Sequence, residues 1–147
     1  MSLKVELKPH ERLIVGNSLI TNSDQRTRLF IDGDAPVLRE KDILTPATAD
    51  TPAKRVYLAI QLIYTSTETN PDTAMFEEFL GDFAKAVPSS REIVDEINNW
   101  ILTKNFYKAL KSAQKLIAYE EEILGHAQSG STGVPAGRQT DGEPAGS

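Results

Sequence analysis

The sequence predicts an α+β protein: a small N-terminal antiparallel β-sheet over residues 1–44, about four α-helices over 45–125, and a disordered C-terminal tail over 126–147. Three observations lead there. Short apolar–polar alternations separated by turn signals fill the first segment. Apolar residues recur at helical spacing through the second. The third has almost nothing to bury and so cannot offset the entropy of ordering.

The strands come first. Leu3, Val5 and Leu7 alternate with Lys4, Glu6 and Lys8 until Pro9-His10 interrupts them. Leu13-Ile14-Val15 forms a second apolar run, ended by Gly16-Asn17, a turn pair because glycine accepts positive φ. Leu19-Ile20 follows, then the polar turn Asn22-Ser23-Asp24-Gln25. Thr27 to Ile31 is β-branched and aromatic, closed by Asp32-Gly33-Asp34, and Val37 to Arg39 makes one more short strand.

Thr51-Pro52 reads as an N-cap with proline at the first helical position. The helix it opens is apolar on most sides, through Val56, Tyr57, Ile60, Leu62 and Ile63. Asn70-Pro71 repeats the start signal before a stripe of Phe76, Phe79, Leu80, Phe83 and Val87. Ser89 with Glu92 fits a capping box for a third helix carrying Ile93, Val94, Ile97, Trp100 and Ile101. A break at Thr103 to Asn105 precedes a fourth, through Phe106, Leu110, Ala113, Ile117 and Leu124, with Gly125 as its expected C-terminal cap. Beyond it, residues 126–147 hold five glycines, two prolines and a single large aliphatic, Val134.

Sixteen basic and 21 acidic residues give a net charge of −5, which argues against a general nucleic-acid binder. The lack of cysteine excludes disulfides, thiolate metal sites and a cysteine nucleophile. No apolar run approaches the ~18 residues of a membrane-spanning helix. The start lacks the apolar core of a signal peptide, so a cytoplasmic protein without membrane association is expected. Enzyme chemistry finds no support. With two histidines, a metal site would be nearly all carboxylate, and Asp32-x-Asp34 is better read as a hairpin turn. No nucleophile elbow accompanies His10, and no glycine-rich phosphate loop is present. Glu120-Glu121-Glu122 reads as a solvated helix end. No cofactor is expected.

Two features could bind a ligand. Arg26, Arg28 and Phe30 share one strand face by the period of two, with Arg39 on a nearby strand. Cations beside an aromatic suit single-stranded nucleic acid, whose phosphates pair with arginine while a base stacks on the ring. The plainer reading puts Phe30 in the core and the arginines on Asp24, Asp32 or Asp34. Lys104, Lys108, Lys111 and Lys115 recur along one helix stripe and could track phosphates. The plainer reading there is a solvated face paired with the acidic side of the second helix.

The run Leu7-Lys8-Pro9-x-Glu11-Arg12, then Gly16-Asn17 and Ile20-Thr21-Asn22, resembles the opening of the FlbT family of flagellar regulators. The stretch Asp34-Ala35-Pro36-Val37-Leu38-Arg39-Glu40-Lys41-Asp42-Ile43-Leu44 is its most specific part. The similarity runs on through Tyr57, Ala86-Val87-Pro88 and Tyr107-Lys108-Ala109-Leu110, to about residue 124. It implies a post-transcriptional regulator that associates with the 5′ untranslated leader of a flagellin messenger RNA and promotes its decay or blocks translation. Expression is thereby coupled to flagellum assembly, with the small protein FlaF acting in opposition. Some members of the family activate, so the sign of regulation does not carry over.

Glu11 with Leu13-Ile14-Val15-Gly16, then Asp34-Ala35-Pro36 and Arg39-Glu40, is also similar to the carbon-storage-regulator family of RNA-binding β-strand dimers. There an arginine on the last strand contacts RNA, a role the resemblance implies for Arg39, and a homo-oligomer is implied as well. His10 and Asp34 depart from that family's glycine and asparagine, and Glu6 stands among the lysines of the first strand. Residues 1–50 hold seven basic and eight acidic residues, so any RNA site is a local patch. The rival expectation is a helical interaction module for another flagellar protein, FlaF or flagellin, with an indirect effect on RNA.

Overall fold

The N-terminal strands divide between two sheets. The computed structural model describes residues 2–132, with side chains described for 2–125. The strands are β1 (Ser2–Leu7), β2 (Arg12–Val15), β3 (Ser18–Thr21), β4 (Thr27–Asp32) and β5 (Val37–Arg39). β1 pairs with β4 as an antiparallel ribbon, Ser2 opposite Asp32 and Leu7 opposite Thr27. β2 is the centre of a three-stranded antiparallel sheet ordered β3-β2-β5.

Side-chain alternation stacks these sheets. Leu13, Val15 and Val37 point from the three-stranded sheet towards the ribbon and meet Val5, Leu7, Leu29 and Ile31 in a small core. Ile14 and Leu38, opposite each other in the register, point the other way into the helical core. The three-stranded sheet is therefore the middle layer between ribbon and helices. Asn22 ties the ribbon's connections together: its amide donates to the carbonyls of Lys8 and Gln25 (2.8 Å each) and its oxygen accepts from Thr27. Gly16 takes φ +63°, as the first position of the two-residue β2–β3 turn requires. His10 takes φ +64°, a conformation that strains a side-chain-bearing residue.

Four helices follow: α1 (Pro52–Tyr64), α2 (Ala74–Ala86), α3 (Arg91–Leu102) and α4 (Phe106–Thr132). The Thr51 hydroxyl caps α1 by accepting from the Lys54 N–H, as the sequence signal implies. The other starts differ. Asn70-Pro71 does not open α2; Thr73 is its N-cap, and Asn70 instead accepts from Lys104 Nζ at 2.7 Å. The capping box of Ser89 and Glu92 is not formed either. Pro88–Ser90 is a 3-10 turn that moves the N-cap to Ser90, whose hydroxyl donates back to the Val87 carbonyl.

Packing settles two further positions. Gly125 does not end α4, which continues to Thr132. That helix thus enters the segment expected as a tail, whose residues 133–147 lie outside the described ones. Glu120 is buried rather than solvated, because its carboxylate accepts from the Ala53 N–H at the first turn of α1. An anion at a helix N-terminus is electrostatically favoured. The sheet-to-helix seam is fastened by Gln61, whose amide both accepts from the Leu44 N–H (2.9 Å) and donates to its carbonyl (3.0 Å). Beside it the Tyr57 hydroxyl donates to the Asp42 carbonyl at 2.8 Å. Burial, then the Asp42 charge, pushes that phenol up to about 12.

Candidate functional site

The outward face of the ribbon follows from its inward face. Thr27, Leu29 and Ile31 take the inner parity of β4, so Arg28, Phe30 and Asp32 take the outer one. Phe30 is accordingly 64 % exposed, on the solvent side and not in the core. Burying a phenylalanine is worth about 1.5–3 kcal/mol, and the fold gains little of that here.

Register decides the neighbours. Lys4 stands opposite Phe30 and Glu6 opposite Arg28. Arg28 Nη2 lies 3.3 Å from Glu6 Oε2, with both side chains more than half exposed. Arg39, at the end of β5, reaches across from the middle sheet and donates from Nη2 to the Glu6 carbonyl at 3.0 Å. Arg28 and Arg39 thus meet Glu6 rather than Asp24, Asp32 or Asp34. Arg26 and Arg28 line one shallow depression of about 270 Å³ with Glu6, Leu7 and Thr27. The ribbon therefore gathers Arg26, Arg28, Phe30 and, from the next layer, Arg39. Sequence reasoning missed Lys4 and Glu6 as members of this face. Their outward parity was visible in the alternation of β1, but nothing local says that β1 pairs with β4.

The lysines occupy a different layer. Lys104 precedes α4, in a turn at φ +61°, and holds Asn70. Lys108 Nζ sits 4.8 Å from the ring centroid of Trp100, and Lys111 Nζ 5.3 Å from that of Tyr107. Lys115 pairs with Glu96 of α3 at 3.0 Å, so the acidic partner is α3 rather than the second helix. Hydrogen bonds from the Ser112 hydroxyl and the Lys115 ammonium hold the Glu96 carboxyl below the usual carboxylate range. All four lysines have intramolecular partners, two of which, Trp100 and Glu96, lie on α3 and seat α4 against it.

Elsewhere, Leu62 and Met75 are about half exposed beside a shallow groove of about 250 Å³ between α1 and α2, floored by Ile63 and Phe76. Among the described residues no group of three or more His, Asp or Glu is placed to hold a metal ion. Among them, too, no helix is long and apolar enough to cross a membrane.

Comparison with known proteins gives a consistent picture. Residues 3–124 match the family model described as flagellar protein FlbT. The chain is 58 % identical over 130 residues to the Bradyrhizobium diazoefficiens protein named "Probable flagellum biosynthesis repressor protein FlbT 1", covering 88 % of this chain and 89 % of that one. It is 51 % identical over 124 residues to a similarly named protein of Rhodopseudomonas palustris, covering 84 % and 98 %. The flagellum biosynthesis repressor protein FlbT of Caulobacter vibrioides is 37 % identical over 143 residues, covering 93 % and 100 %. No solved structure matches.

Proposed function

The chain belongs to the FlbT family of flagellar proteins, and on that premise we propose that it regulates flagellin synthesis after transcription. It does so by associating with the 5′ leader of a flagellin messenger RNA through the outward face of the β1–β4 ribbon. The observation that carries this reading is Phe30: a large aromatic left uncovered, with Lys4 opposite it and Arg28 two residues before it. A base stacks on the ring while phosphates pair with Arg26, Arg28 and Arg39. Lys104, Lys108, Lys111 and Lys115 give the same polyanion a weaker, distant electrostatic support. Bound protein then changes the access of ribosomes or nucleases to the leader, blocking translation or promoting decay. No catalytic step and no cofactor is involved.

The acidic total makes this site a local patch, so its affinity falls steeply with salt. The test is a titration of the full chain with a flagellin leader RNA and with an unrelated RNA of equal length, at several salt concentrations. Tighter, salt-sensitive binding to the leader, lost when Arg26, Arg28 and Arg39 become Glu, is the expected result. Equal binding to both RNAs, or none, would favour a second reading. In that reading the half-exposed Leu62 and Met75 flank the groove that receives a helix of another flagellar protein, FlaF or flagellin, and the effect on RNA is indirect.

A further inference from the structure

We infer that Glu6 is a built-in competitor at this RNA site: its carboxylate occupies Arg28, which a phosphate would otherwise take, and so sets the affinity and salt dependence of binding. The inference rests on the RNA reading above and deepens it. Glu6 touches two of the three arginines with two different atoms. Its side-chain Oε2 holds Arg28, and its main-chain oxygen accepts from Arg39. A substitution of the Glu6 side chain removes only the first and leaves the main-chain acceptor of Arg39 in place. The Glu6–Arg28 pair is solvated on both sides, and an exposed pair of this kind is weak. A phosphate entering the depression lined by Arg26, Arg28 and Glu6 therefore meets like charge before it gains the guanidinium.

No other duty in the fold accounts for this carboxylate. Among the described residues its only hydrogen bond or ion pair is to Arg28. The neighbours of Glu6 in sequence, Val5 and Leu7, are the ones that fill the small core. Asp32, on the same outward face, stands opposite Ser2, and among the described residues it makes no ion pair. It is a matched control: the same charge on the same face, without an arginine to release.

The test uses the full chain and a fluorescein-labelled single-stranded RNA of about twenty nucleotides, taken from a flagellin leader, in anisotropy titrations across a salt series. Glu6→Gln is expected to bind roughly threefold more tightly at low salt. In the wild type Glu6 leaves the Arg28–phosphate contact only partly engaged; Glu6→Gln completes it and is expected to steepen the slope of log K against log salt by up to about 0.7. Asp32→Asn gives a smaller gain, and Glu6→Gln gives none in an Arg28→Ala background. Unchanged binding by Glu6→Gln, an equal gain from Asp32→Asn, or a gain that survives Arg28→Ala would each overturn the inference. Binding by the wild type with no response to Glu6→Gln removes only the role of Glu6. Absence of binding by every variant at the lowest salt removes the RNA reading and this inference together.

Discussion

The helical layer and the ribbon use their cations in opposite ways. On the helical side, Lys104, Lys108, Lys111 and Lys115 each meet a side chain that helps hold the helices or their turns in place. On the ribbon, Glu6 of β1 meets both Arg28 of β4 and, from the middle sheet, Arg39, and among the described residues Arg26 makes no ion pair. The uncovered Phe30 lies on the same face. The cores differ in the same sense: among the described residues, sixteen buried ones form the helical cluster, and three form the one between ribbon and middle sheet. The difference teaches where function is to be sought. Packing accounts for the lysines, whereas it gives no reason for an exposed phenylalanine among cations.

Substitutions can break or sharpen this contrast. The largest effect is expected in the helical core. Phe76→Ala should lower unfolding stability in urea by about 3–5 kcal/mol. Phe30→Ala should change it by less than about 0.5 kcal/mol while weakening leader RNA binding by about 1–3 kcal/mol in the same preparation. A phenylalanine that mattered equally to both measurements would erase the distinction between the layers.

Next come the cations. Arg26→Ala should lower the salt slope of RNA binding by about 0.7, and Lys111→Ala by clearly less, with its main effect on thermal stability. The reverse order would move the site to α4. His10→Gly should raise stability by about 1 kcal/mol, since glycine relieves the positive φ; calorimetry checks this. The smallest effect is a pH dependence at the α3–α4 seam. The Glu96 carboxyl titrates low in the fold, so its contribution is present at neutral pH and is lost as pH falls through the depressed pKa. Ser112→Ala should make the acid-side decline of stability shallower, read from urea midpoints at decreasing pH.

Much of this was legible along the chain. Each strand lies where the alternation and its turn residues put it, because period two and glycine turns are local signals. The lysine spacing and the shared parity of Arg28 with Phe30 were equally local. What the residues could not tell is which strand meets which. Ser2 to Leu7 finds Thr27 to Asp32 across some twenty residues, splitting the expected sheet in two and bringing Glu6 to Arg28. The same blindness hid Glu120, whose burial depends on the first turn of α1, sixty-seven residues away. It also hid the direction of Phe30. Side-chain parity was clear, but the inner face is fixed only once Leu29 and Ile31 meet Val5 and Leu13. Gly125 misled for another reason: a glycine inside a helix costs only about 1 kcal/mol relative to alanine, too little to stop α4.

The most direct measurement is the leader RNA titration with wild type, Phe30→Ala, the Arg26, Arg28 and Arg39→Glu triple variant, and a Lys108, Lys111 and Lys115→Glu triple variant. The account predicts leader-selective binding that the arginine variant abolishes, that Phe30→Ala weakens by about 1–3 kcal/mol, and that the lysine variant weakens less. Full binding by the ribbon variants, or loss confined to the lysine variant, would contradict it.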